Sequence, residues 1–155
     1  MKPTDALRYW PPMHHPESFI MNPISAPDTL VYIMVSVSAV DSEMRETEML
    51  RIGNIVKTLP VFAHYGPDRL VEAAKACRDI LQADEGMDAI LQIAGQLPEH
   101  LHPTAYALAT EIAATDRSVS PEEVRLLQLL RKHLKLDRLT TVALETAARA
   151  RHQTE

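Results

Sequence analysis

The sequence predicts an all-α fold, a compact bundle of about seven helices, and three observations predict it. Apolar residues recur with a helical period along nearly the whole chain beyond residue 26. The 155 residues include 11 prolines but only 4 glycines. Hairpin turns and bulges use glycine freely, so this scarcity argues against a β sandwich or barrel. Five of the prolines (Pro60, Pro67, Pro98, Pro103, Pro121) fall where helical patterns start or stop.

The other six prolines (Pro3, Pro11, Pro12, Pro16, Pro23, Pro27) crowd into the first 27 residues. Each lacks a backbone donor and restrains its predecessor. Residues 1–25 therefore read as an extended arm and 26–155 as the helical domain. Trp10, Phe19, Ile20 and Met21 favour packing of the arm onto the domain or a second subunit. Leu30–Val40 is apolar almost all round, so its helix belongs at the centre of the bundle. An amphipathic helix follows, with Met49, Ile52, Gly53, Val56 and Leu59 on one face and Gly53 permitting a close helix approach. Leu70, Ala73, Ala74, Cys77, Ile80 and Leu81 form the next stripe, and Met87, Ile90, Leu91, Ala94 and Leu97 another. Tyr106–Ala114 is the second segment without a polar face and the second central helix. In the last helix Leu139, Val142, Ala143, Ala147 and Ala150 make the apolar stripe. Each stripe reads as the face its helix turns to its neighbours.

Composition excludes several functions. No GxGxxG or GxxxxGK[ST] loop can be drawn through Gly53, Gly66, Gly86 and Gly95. One cysteine excludes a disulfide scaffold, and Cys77 on its apolar stripe reads as a small hydrophobe. Aromatics at 5% are too few for a base-stacking platform, and a net charge of −5 disfavours nonspecific nucleic-acid binding. That charge is uneven: residues 117–155 hold eight basic and five acidic residues. This positive tail half suits helix C-termini and a solvated face, with phosphate, a membrane surface or an acidic partner as the functional alternative. No signal core precedes Trp10 and no apolar run approaches a membrane span, so the expected location is cytoplasmic, with peripheral membrane association only.

The two central segments are followed by similar text. Val37–Met49 aligns without a gap on Ile112–Val124: a buried helix, an Asp (Asp41 or Asp116), a short loop with one apolar residue (Met44 or Val119), then Glu48 or Glu123 seven positions after the Asp. The pattern predicts two pseudo-repeated helix–acidic loop–helix units. The stretches AVDSEMRETE and AATDRSVSPEE resemble the A-A-D-G-x-[VI]-x-x-x-E loops of the TerB-like tellurite-resistance family, over roughly residues 26–140. The resemblance implies an all-α domain of about seven helices in proteins of tellurium-anion resistance and stress response. It also implies loop acids that hold a metal cation, and work in membrane-associated complexes. This chain has Ser42 and Arg117 where the family places glycine after each loop Asp.

Hard oxygen donors converging from two loops would suit a divalent cation such as Ca²⁺ or Mg²⁺, with Zn²⁺ as a further candidate. The candidate ligands are Asp41, Glu43, Glu46 and Glu48 of the first loop, and Glu111, Asp116, Glu122 and Glu123 around the second. The spacing is not that of an EF-hand. The same acids admit a structural reading. Ser120-Pro121-Glu122-Glu123 is a capping box with proline at the first helical position, and Asp41 and Asp116 can accept amides of the following helices. Glu111, inside an apolar helix, needs a partner of its own. His100 and His102 straddle a helix entry and read as solvent-exposed, while His133 and His152 suit helix ends. His14 and His15 point apart in the arm. No nucleophile–base motif is visible, so no enzyme is expected. The expectation is a non-enzymatic stress-response protein acting through protein contacts, as a hetero-complex or homo-oligomer, with cation binding at the acidic loops. The alternative is a purely structural or oligomerisation domain whose loop acids cap helices.

Overall fold

Ten consecutive residues of the first helix, Thr29 to Ser38, are buried, and that decides where the helix lies. The computed structural model describes residues 23–41, 44–115 and 118–155. Among them are seven α-helices and no strand. The first, α1 (Ala26–Ala39), starts at Ser25, whose hydroxyl accepts the Asp28 amide, with proline in the first turn. It packs against α2 (Glu46–Thr58), α3 (Pro67–Gln82), α4 (Gly86–Gly95) and α5 (His102–Ala113). Most of α5 is buried as well, from Ala105 and Tyr106 through Ile112 and Ala113. The two segments expected at the centre are the central helices. Three buried polar residues inside them are satisfied by their own backbone: Thr29, Ser36 and Thr110 donate to the carbonyls of Ser25, Tyr32 and Ala107.

The remaining helices, α6 (Pro121–His133) and α7 (Arg138–Arg151), pack on α5. Single 3₁₀ turns at Pro60–Phe62 and Glu99–Leu101 lead out of α2 and into α5. The stripes of α2, α3 and α4 face inward as read: Ile52 and Val56, then Leu70, Ala73, Ala74 and Cys77, then Ile90, Leu91 and Ala94 are buried. Burial pushes the Cys77 thiol up to about 11, so it packs as a neutral hydrophobe beside Ser36. The residues expected to form the extended arm, including Trp10, Phe19, Ile20, Met21, His14 and His15, lie outside the described residues up to position 22.

Glycine scarcity is met in two ways. A methyl added at Gly53 would sit 3.8 Å from the Leu70 side chain, an ordinary contact, so Gly53 does not enforce the close approach expected of it. Gly86 does: a Cβ there would collide with the Ile80 carbonyl, because α4 starts directly against the end of α3. Left-handed turn positions among the described residues are filled without glycine. Glu85 (φ 57°) precedes α4, and Lys135 (φ 50°) follows α6. Lys135 occupies the left-handed position of a Schellman turn, with Leu136 N–H donating to Arg131 C=O and Lys135 N–H to Lys132 C=O.

One expectation is reversed. The apolar stripe of α7 faces solvent: Leu139 is 82% exposed and Val142 45%, while Ala143, Ala147 and Ala150 are exposed too. The inward face of α7 is Thr141, Leu144 and Ala148, reinforced by polar contacts. Tyr106 donates to Glu145, which also meets Arg131, and Glu111 receives Arg151 and His152. Periodicity identified the stripe, but side-chain hydrogen bonds decide which face turns in. Leu139→Ala should therefore change unfolding free energy by less than about 0.5 kcal/mol. Leu91→Ala should cost about 2–5 kcal/mol, and urea titration of the two variants separates these outcomes.

Candidate functional site

The C-terminal end of α1 and the N-terminal turn of α6 bring two of the predicted acids together. Ser120 caps α6 by accepting the Glu123 amide at 3.1 Å, and the Glu123 carboxyl accepts from the Ser120 backbone and hydroxyl. The capping box read from the sequence is thus present. It fixes the Glu123 side chain, which is only 3% exposed, over the end of α1. There it hydrogen-bonds the side chain of Asp41. Two carboxyl groups can share a hydrogen bond only if one of them keeps its proton. Burial, followed by the bond to Asp41, pushes the Glu123 carboxyl up to about 7, against the opposing effect of the Ser120 bonds. Below about pH 7 the Glu123 carboxyl therefore keeps a proton to donate to Asp41.

A small cavity adjoins this pair, lined by Val37, Ser38, Asp41, Glu48, Arg51, Ile112, Thr115 and Glu123, with room for about one water molecule. Helical spacing explains its walls. Ser38 and Asp41, then Glu48 and Arg51, are i, i+3 pairs on single faces of α1 and its continuation and of α2. The Ser38 hydroxyl is buried and, among the described residues, has no hydrogen-bond partner. An orphaned buried hydroxyl marks a place where a polar guest is favourable. Ser38 and Arg51 were not singled out from the sequence. The i, i+3 relation of each to a loop acid is the signal that could have found them.

The predicted ligands divide. Asp41, Glu48 and Glu123 line one cavity. Glu48 is also committed to capping, accepting the Arg45 amide at 2.7 Å. Glu46 is exposed in the first turn of α2, and Glu122 in that of α6; neither lines the cavity. Glu43 and Asp116 lie outside the described residues. Glu111 points elsewhere, bonded to Arg151 and to His152 at 2.8 Å, closing α5 onto α7. Burial raises its carboxyl, but the bonds from Arg151 and His152 outweigh this and hold it below the ordinary glutamate range. Asp41 meets the Glu123 carboxyl, and Arg45 rather than Asp41 stands at the N-cap of α2. Among the described residues, no three His, Cys, Asp or Glu side chains are grouped as a metal ion requires. The donors that meet here are a proton-sharing pair, with a guanidinium in the same wall.

The histidines differ from expectation at one position. His100 is exposed, as read. His102 is half-buried, with ring nitrogens 2.9 Å from the Leu134 carbonyl and 2.8 Å from that of Leu97, tying the start of α5 to the end of α6. His133 contacts the Leu129 carbonyl of its own helix. No helix among the described residues is long and apolar enough to cross a membrane. Comparison with family models, with curated proteins and with solved structures found no match.

The pair gives stability a definite pH dependence. Glu123 is raised only in the folded state, so the folded protein holds a proton that the unfolded chain releases above its ordinary value near 4.5. This contribution is complete below that value and is lost as pH rises through about 7. Between about pH 5 and pH 8 the wild type should lose about 2 kcal/mol from this group. Glu123→Gln, which keeps a donor for Asp41, should flatten that part of the curve in urea titrations run at each pH. An unchanged slope in the variant would assign the dependence to another group.

Proposed function

We propose that this chain is a non-enzymatic helical module of the TerB-like, stress-response kind that works through protein contacts, with the Asp41–Glu123 pair as an ion-responsive joint. The observation that carries the reading is the carboxyl–carboxyl hydrogen bond across two inter-helix connections, beside a buried hydroxyl with no partner among the described residues. In this reading the two helix–acidic loop–helix units descend from a duplication, and the joint lies where they meet. A proton bridges the two carboxyls when no cation is offered. A divalent cation competes for the same oxygens once the proton leaves, since hard cations favour paired carboxylates. Binding free energy would then add to folding free energy.

Specific observations favour a second reading, in which the acids serve architecture alone. Glu123 and Glu48 each complete a helix-start hydrogen bond, and Glu111 is satisfied by Arg151 and His152. The two readings separate in thermal melts of the full chain at about pH 8, above the value reached by Glu123. The joint reading expects millimolar Mg²⁺, Ca²⁺, Mn²⁺ or Zn²⁺ to raise Tm by several degrees, and Asp41→Asn or Glu123→Gln to abolish the rise. No rise with any of these ions contradicts it. The architectural reading expects Ser120→Ala to cost about 1 kcal/mol with or without metal.

A further inference from the structure

The outward face of α7 has no use in the fold just described. Leu139, Val142, Ala143, Thr146, Ala147 and Ala150 stand at i, i+3, i+4, i+7, i+8 and i+11 on one face, and all are exposed. They form a continuous seam about 17 Å long, some three turns of helix. Single exposed apolar residues are ordinary, but an aligned row on a helix already anchored by its other face is not.

The exposed charges within the helix itself are of one sign, and the carboxylate of Asp137 at its N-cap is taken up by Thr140. Glu145, the helix's only acid, is turned inward to Tyr106 and Arg131. Arg138 and Arg149 lie eleven positions apart along one edge, both exposed and without an ion pair among the described residues. Arg151 lies on the other edge, still 54% exposed while bonded to Glu111. A second copy in two-fold pairing would set arginine rows against each other. A bilayer would gain little from a seam whose middle and end are alanine, because insertion scales with the apolar area buried. Alanines at 143, 147 and 150 instead let another helix approach to about 8–10 Å between axes.

We infer that the outward face of α7 is the docking surface for an acidic amphipathic helix of a partner protein, its apolar seam on Leu139–Ala150 and its carboxylates against Arg138, Arg149 and Arg151. The inference supplies the partner for the protein-contact part of the proposed function and rests on that reading. It does not rest on the carboxyl joint, so the cation melts and the test below can fail independently.

The probe is a pair of labelled synthetic helical peptides of about four turns, sharing one Leu/Ala seam, one flanked by Glu and the other by Lys. Fluorescence anisotropy with the full chain should show binding of the Glu peptide and about tenfold or more weaker binding of the Lys peptide, with the difference shrinking as salt rises. Arg138→Glu with Arg149→Glu should reverse that preference. Ala147→Arg, which makes the surface more positive but fills the seam, should abolish binding with Tm unchanged. Several results would overturn the inference: no binding of the Glu peptide, equal binding of both peptides, or binding indifferent to Ala147→Arg. So would sedimentation showing dimers of the full chain that Ala147→Arg dissolves, or binding to phosphatidylserine vesicles that the same substitution removes.

Discussion

Burial of α1 on all sides is the constraint from which the rest follows. A helix with no solvent face can place charged groups only at its ends, and here both ends carry a carboxylate. At the start, Asp28 accepts the Tyr65 hydroxyl at 2.6 Å and pairs with Arg69, which also lies over the Tyr65 ring. Beyond the last turn, Asp41 meets Glu123. The first end is closed by a cation and a phenol, both of which donate to its carboxyl group. The second is closed by another carboxyl group, and that requires a proton. The chemistry of the joint is a consequence of which element α6 brings to the end of the central helix.

The same bundle sets two glutamates in opposite directions. Glu111 on α5 faces Arg151 and His152 and its carboxyl is lowered; Glu123 at the start of α6 faces Asp41 from a buried position and its carboxyl is raised to about 7. Neither outcome follows from exposure alone, since burial raises both. At Glu111 the partners outweigh burial, whereas at Glu123 burial leads and the partner adds to it. That contrast is why one of these residues reads as a tie between helices and the other as a group able to respond to its surroundings.

Much of this architecture was legible in the chain. The two segments without a polar face are the central helices, because lack of amphipathicity leaves only the interior. Ser120–Glu123 forms its capping box because the motif is local and carries its own hydrogen bonds. The α7 stripe was legible as a stripe but not as an outward one: Glu145, Arg151 and His152 find partners on α5 and α6, and those contacts are not local. Likewise Asp41 and Glu123 stood out as loop acids, yet their meeting depends on how α1, α5 and α6 pack. Ser38 escaped notice because a serine in an apolar helix ordinarily bonds back to its own backbone, as Ser36 does.

In the folded protein the Glu123 carboxyl, buried beside Asp41, keeps its proton up to about pH 7. Carbon-detected NMR titration of the side-chain carboxyls in uniformly ¹³C-labelled protein reads that proton directly. The Glu123 carboxyl shift should move with a midpoint near 7, and Asp41→Asn should alter that midpoint. A Glu123 midpoint in the ordinary glutamate range near 4.3, indifferent to Asp41→Asn, would contradict both.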